Sequence, residues 1–440
     1  MKKILSILLA LYALQASAQH TISGSFSPAE EYSWLIAYRL TPDAQVYVAD
    51  SAIKNGSFTL NLPEDAESGM YRIVYAVPQE EFNFDILYNA KENIVIDFDA
   101  NKGLGFTQSE ENILLNTYLA ELAQIEAEII QFYSAQETDT TTFNSATKKL
   151  KAHQNLFETK SEGLLAHNFI RSNKPYIPTK YEPVQKYVAH KKAAYFEAID
   201  FSNPVLQSSG FLTDKVSNYA FTALSLTQQT KKETEDDIIK NIAHFSSILS
   251  DVASVFKFYL YNDLWKNAIA YDYNEVADFI YSKYLKELAE TTNHLDIKTA
   301  IEAHNRLRLG EIAPEMVWKD GGNEKSLRTL EPFENYILIF WSSTCGHCLN
   351  ELPALHKELK GNSSLKIIAV GLEDETENWQ IESKNLPNFE HLIALGKWDS
   401  AYANLYDINA TPTYYILDSE KRIIAKPEND RALVEFLESK

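Results

Sequence analysis

The sequence predicts a multidomain chain: an N-terminal antiparallel β-sandwich-like domain, an α-helical middle region and a C-terminal layered α/β domain. Three observations predict it. Short runs rich in β-branched and aromatic residues, separated by turn signals, fill residues 20–100. Apolar residues then recur at helical spacing to about residue 305. From about residue 306, strand-like and helix-like stretches alternate. At 440 residues the chain exceeds what one ordinary core accommodates, so several domains are expected. The expected boundaries are 1–18, 19–106, 107–305 and 306–440.

The first segment reads as a signal peptide. "MKK" is a short basic start, and "ILSILLALYAL" is an apolar run too short to span a bilayer. "ASAQ" offers Ala16 and Ala18 for cleavage before Gln19. No cysteine lies near that cut, so the expectation is a soluble, exported protein of the periplasm or cell envelope, not a lipoprotein. The chain carries 41 basic and 61 acidic residues, a formal charge of -20. That balance repels nucleic acid and anionic lipid and favours solubility.

In the β-rich domain, "HTISGSFS", "SWLIAYRL", "QVYVADSAI", "SFTLNLP", "MYRIVYAV", "FNFDILY" and "NIVIDFD" read as strands. Asn55-Gly56, between "SAIK" and "SFTL", is a hairpin signal. The strand spacing implies a small antiparallel sandwich. No catalytic cluster falls in it.

In the middle region "SEENILLNTYLAELAQIEAEIIQFYSA" is the first helix. Ser109 is its expected N-cap, and Asn112 stands where a capping box would carry Glu or Gln. Breaks fall near Thr138–Thr142, "NKPYIP", "FSNPVLQSSG" and "TTNHLD". The aromatic stretch "SVFKFYLYNDLW" has helical spacing and reads as core. The histidines at 153, 167, 190, 244, 294 and 304 form no metal-binding pair such as HExxH.

In the last segment "YILIFW" is a continuous apolar run, as a buried parallel strand should be. "CLNELPALHKELK" is a helix, "LKIIAVGL" a strand and "ETENWQIESKN" a helix. "FEHLIAL" is strand-like and "DSAYANLYDI" a short helix. "TPTYYILD" and "KRIIAKP" are strands, and "NDRALVEFLES" closes as a helix.

The chain has two cysteines, Cys345 and Cys348, side by side between the buried strand and the helix. A disulfide across so short a loop constrains the unfolded chain little, so a stability staple explains them poorly. Zinc needs four ligands, and no second CxxC is present; His347, His356 and His391 match no zinc spacing. Haem attachment needs histidine after the second cysteine, where Leu349 stands. A peroxidatic pattern would carry proline at Leu338. A CxxC pair opening a helix is instead a redox arrangement. Near the helix N-terminus, Cys345 meets free N–H groups and the helix dipole, which lower a thiol pKa and supply a thiolate. Cys348, about one turn deeper, can attack a mixed disulfide on Cys345 and release the reduced substrate.

"GEIAPEMVW", "YILIFWSSTCGHCLNELPAL" and "NATPTYYILD" together resemble three motifs of the TlpA/ResA group of exported, thioredoxin-like thiol–disulfide oxidoreductases. The upstream β-rich and helical layout resembles multidomain members of Bacteroidetes-like bacteria. The resemblance implies a thioredoxin-like fold for 306–440 and no cofactor. It also implies protein thiol or disulfide substrates in the envelope, cytochrome c maturation among the settings, and a redox partner that the sequence does not name. It places Pro412 in a cis-proline loop, with Thr411 presenting its backbone to substrate. It places Glu351 on the face of Cys348, where a carboxylate can take the proton during resolution. Gly346 and His347 are the expected tuners of redox potential, and the same dipeptide occurs in protein disulfide isomerases. Thr411, Trp341 and Thr344 are the expected substrate platform. The chain departs from the group at Thr344, where the group usually carries tryptophan. Pro353 is expected to kink its helix. The alternative is an envelope-binding or structural module in which the redox domain is accessory.

Overall fold

The computed structural model describes residues 20–42, 44–320 and 322–439. The expected signal segment lies outside them. The chain divides into two compact units, Met1–Thr292 and Asn293–Lys440. The expected boundary at 305/306 therefore moves to 292/293.

The first unit opens with eight strands. They are β1 (Thr21–Ser27), β2 (Trp34–Leu40), β3 (Gln45–Ala52), β4 (Ser57–Asn61), β5 (Gly69–Val74), β6 (Asn83–Tyr88), β7 (Ile94–Asp99) and β8 (Gly103–Gln108). They form two four-stranded sheets, in the orders β4-β1-β7-β8 and β3-β2-β5-β6. Side chains alternate across each sheet, so one set from each meets in a shared core: Ile22, Phe58 and Ile96 with Leu35, Tyr71 and Ile73.

Three expectations are corrected here. The sandwich is not wholly antiparallel, because β1 and β7 run parallel. Strand β8 continues the sheet to Gln108, past the expected change at 106/107. Its sequence "GLGFTQ" carries two glycines and little strand signal; pairing with β7 holds it in place. The Asn55-Gly56 turn forms, with φ of 50° and 75° and two hydrogen bonds between Lys54 and Ser57. Yet β3 and β4 then diverge into different sheets. The turn residues fix the reversal; they do not fix how far the pairing runs.

Helices follow: α1 (Glu110–Ser134), α2 (Thr140–Lys160), α3 (Ala166–Ser172), α4 (Val184–Ala193), α5 (Pro204–Gln207), α6 (Phe211–Thr222), α7 (Lys231–Ser246), α8 (Ser254–Ala270) and α9 (Asn274–Ile280). A π-helical turn (Tyr281–Leu285) leads into α10 (Lys286–Thr291). Ser109 caps α1 by accepting from the Asn112 N–H. Asn112 is buried, and its amide both accepts from the Leu87 N–H and donates to the Leu87 carbonyl, each at 2.8 Å. It thus pairs like a backbone with strand β6 and clamps the sheet to α1. Glu111 is buried beside it and caps α3 through the N–H groups of Leu165 and Ala166. The aromatic stretch 254–265 supplies Phe256, Phe258, Tyr261 and Leu264 to the core of α8.

The second unit begins with α11 (Leu295–Arg306), not at residue 306. Arg306 donates to the Leu405 carbonyl at 3.0 Å, and Leu307 enters this unit's core. A short hairpin, β9 (Val317–Asp320) and β10 (Asn323–Ser326), precedes β11 (Asn335–Trp341). Then come α12 (Gly346–Leu359), β12 (Leu365–Glu373), α13 (Glu377–Glu382), β13 (Glu390–Leu395), α14 (Ala401–Leu405), β14 (Thr413–Leu417), β15 (Ile423–Ala425) and α15 (Asp430–Glu438). The sheet order is β13-β12-β11-β14-β15. Strands β11, β12 and β13 are parallel, while β14 is antiparallel to β11. Central β11 is buried at all seven positions because both faces are covered. Leu338 and Phe340 serve one core, Ile337, Ile339 and Trp341 the other. Helix α12 runs through Pro353.

Candidate active site

The carboxyl ends of parallel strands are where a layered α/β unit presents functional groups. Strand β11 ends there at Trp341, and α12 starts five residues later. Cys345 is the N-cap residue of α12, with extended backbone (φ −88°, ψ 115°). Its sulfur accepts from the Cys348 N–H at 3.4 Å, the role a serine or aspartate oxygen plays at other helix starts. It also lies 3.3 Å from the Thr411 carbonyl, to which the thiol donates. Cys345 is partly exposed, whereas Cys348 is fully buried.

The two thiols titrate in opposite directions. Burial works to raise the Cys345 pKa, but hydrogen bonds from the Cys348 thiol and N–H, the Thr411 side chain and the His347 N–H outweigh it, and the net shift is downward. Burial pushes the Cys348 thiol up to about 12, and its hydrogen bond to Cys345 adds to that. The partly exposed sulfur of Cys345 is therefore the easier of the two to ionise, and the buried Cys348 holds its proton more tightly.

The remaining expected residues fall in different places. Gly346 and His347 form the exposed first turn of α12, beside the exposed Thr344. The Thr411–Pro412 bond is cis, and Thr411 borders the sulfur of Cys345. Glu351 lies one turn beyond Cys348 and accepts from the Tyr414 hydroxyl at 3.2 Å. Tyr414, on β14, is buried in the same cluster as Cys348. Burial, then the Glu351 carboxylate, raises its phenol pKa, so it stays a proton donor. Trp341 is not part of a substrate platform: it is 1% exposed and packs in the core behind Cys348. Its side chain follows the inward alternation of Ile337 and Ile339, which turns it away from solvent.

Sequence reasoning missed Glu373 as well as Tyr414. Glu373 ends β12 and is 4% exposed. Its carboxylate accepts from the Ser343 N–H at 2.5 Å and the Ser342 hydroxyl at 3.3 Å, so it anchors the loop that delivers Cys345. The signal was available: a carboxylate closing an otherwise apolar buried strand, "LKIIAVGLE", needs partners. Among the described residues no cluster of three or more His, Cys, Asp or Glu side chains has metal-binding geometry.

A parallel-centred sheet with a CxxC pair opening the helix after its middle strand, and a cis-proline loop beside it, is a thioredoxin-like arrangement. No family model matches the chain. A curated "Thioredoxin-like protein" of Haemophilus influenzae is 28% identical over 100 residues, 23% of this chain and 58% of that protein. The chain thus spans less than two thirds of that relative. Among solved structures, "a domain of possible thiol-disulfide isomerase" from Cytophaga hutchinsonii is 32% identical, covering 30% of this chain and 92% of that one, with a TM-score of 0.27. A "thioredoxin-like protein" from Bacteroides caccae is 17% identical, covering 60% of this chain and 97% of its own, with a TM-score of 0.35.

Proposed function

We propose that the protein is an exported thiol–disulfide oxidoreductase of TlpA/ResA type, acting on disulfides of cell-envelope proteins. One observation carries this reading: the partly exposed Cys345 sulfur caps α12 with a lowered pKa, while its buried neighbour is pushed up to about 12. In reduction, the Cys345 thiolate attacks one substrate sulfur, forming a mixed disulfide and expelling the other sulfur as a thiolate. Cys348 then loses its proton, and Glu351 with Tyr414 is the adjoining acid–base pair. The Cys348 thiolate attacks Cys345, the intramolecular disulfide forms, and the second substrate sulfur leaves as a thiol. Two electrons pass from the dithiol to the substrate. The Thr411–Pro412 segment borders the reacting sulfur and is the stretch of backbone to which an extended substrate would pair. Cytochrome c maturation is one setting for such a reductant.

The test is trapping. Cys348→Ser should stall substrate proteins as mixed disulfides on Cys345 that reducing agent releases, and Cys345→Ser should trap none. Equal trapping by both variants, or by neither, would sink the proposal.

A further inference from the structure

We infer that the helical part of the first unit carries a binding site for a compact, multivalent phosphate-bearing anion, in a cleft between α2 and the segment 174–181. The cleft measures about 770 Å³, within the roughly 300–1,000 Å³ typical of small-ligand sites. Four lysines line it: Lys148 and Lys151 from α2, Lys174 and Lys180 from the facing segment. Asn144 and Asn155 add amide donors along the same helix face. No carboxylate lines it. In a chain where acidic residues outnumber basic ones 61 to 41, four cations in one concavity run against composition.

The neighbouring Lys149 shows the alternative. It points to another face and pairs with Glu128 at 2.8 Å. Among the described residues, none of the four cleft lysines has such a carboxylate partner. Four like charges facing one space repel one another, and a bound anion relieves that repulsion. The cations are all lysine. Ammonium groups bind phosphate oxygens as point charges, and a polyphosphate carries enough negative charge to answer several of them at once. The cleft lies in the unit that does not contain the cysteines, so the inference stands apart from the proposed redox activity.

Calorimetric titration of the full chain with tripolyphosphate at low ionic strength tests it. One saturable site is expected, weakening as salt is added. Lys148→Gln with Lys151→Gln should weaken it about tenfold or more, since half the cleft's charge is lost. Lys174→Gln with Lys180→Gln should do the same from the opposite wall. Lys149→Gln should leave it unchanged. Absence of saturable binding, or equal affinity in the parent and both double variants, would overturn the site. Tighter binding of citrate than of tripolyphosphate would overturn the phosphate assignment.

Discussion

The Cys345 sulfur is held by donors, and those donors can be removed one at a time. The His347 N–H is one of them. His347→Pro deletes that N–H together with the imidazole, whereas His347→Ala deletes the imidazole alone. A thiolate with fewer donors is a weaker leaving state, so the reduced form loses stability and the potential falls. With the native dipeptide a potential of roughly −180 to −240 mV is expected, between isomerase and thioredoxin values. A glutathione redox titration should find His347→Pro more reducing than the parent and than His347→Ala. An unchanged or more oxidising proline variant would contradict the donor account. Cys348 supplies a second prediction. Its folded pKa is raised from 9.0 to about 12. Between those values the unfolded chain releases the proton and the folded chain keeps it, so the stabilising term is full below about pH 9 and declines as pH rises. The urea midpoint of the reduced parent, relative to Cys348→Ala, should therefore fall from pH 9 to pH 11; a flat difference would contradict it. The sequence already marked both cysteines and their unequal roles, because the helix start and the one-turn offset are local. Glu373 was signalled by its place at the end of an apolar strand, but its partners, Tyr414 and the inward turn of Trp341 were not legible, because they depend on how the strands and loops pack together.

Elements show the same division between local and long-range information. The strands and helices were readable from periodicity, and the Asn55-Gly56 turn from its residue types. The parallel pairing of β1 with β7 depends on a partner about seventy residues away, and the parting of β3 from β4 on how two sheets share one core. Asn112 is the sharpest case. From the sequence it looks like a capping box with the wrong residue, yet its amide pairs with strand β6 while also donating to the Ser109 hydroxyl at its own helix start, at 2.8 Å. Asn112→Ala would strand the buried N–H and carbonyl of Leu87. Each unpaired buried group costs about 1–3 kcal/mol, so a loss of roughly 2–4 kcal/mol is expected for the first unit. Denaturant unfolding would measure it. A loss under about 0.5 kcal/mol, typical of surface changes, would show that the clamp carries little.

For the whole molecule the consequential boundary is 292/293. A fragment beginning at Asn293 keeps α11 and should fold by itself as a reducible, reoxidisable unit. One beginning at Arg306 loses that helix and should unfold at lower denaturant; equal midpoints would show that α11 adds nothing there. The chain length pointed to several domains, and the helical spacing placed this cut thirteen residues late, because α11 reads as one more helix in a helical run. Its assignment rests on Arg306 and Leu307 meeting residues of the second unit. The placement of the chain's only two cysteines has a further consequence. Two cysteines admit a single intramolecular pairing, so no wrong isomer can form and nothing need be reshuffled. The ring closed by that pairing encloses only Gly346 and His347, too small to constrain the disordered chain appreciably. Opening and closing the bond therefore changes the entropy of the disordered chain far less than a long-range crosslink would, and no cycle breaks a bridge between distant parts of the fold.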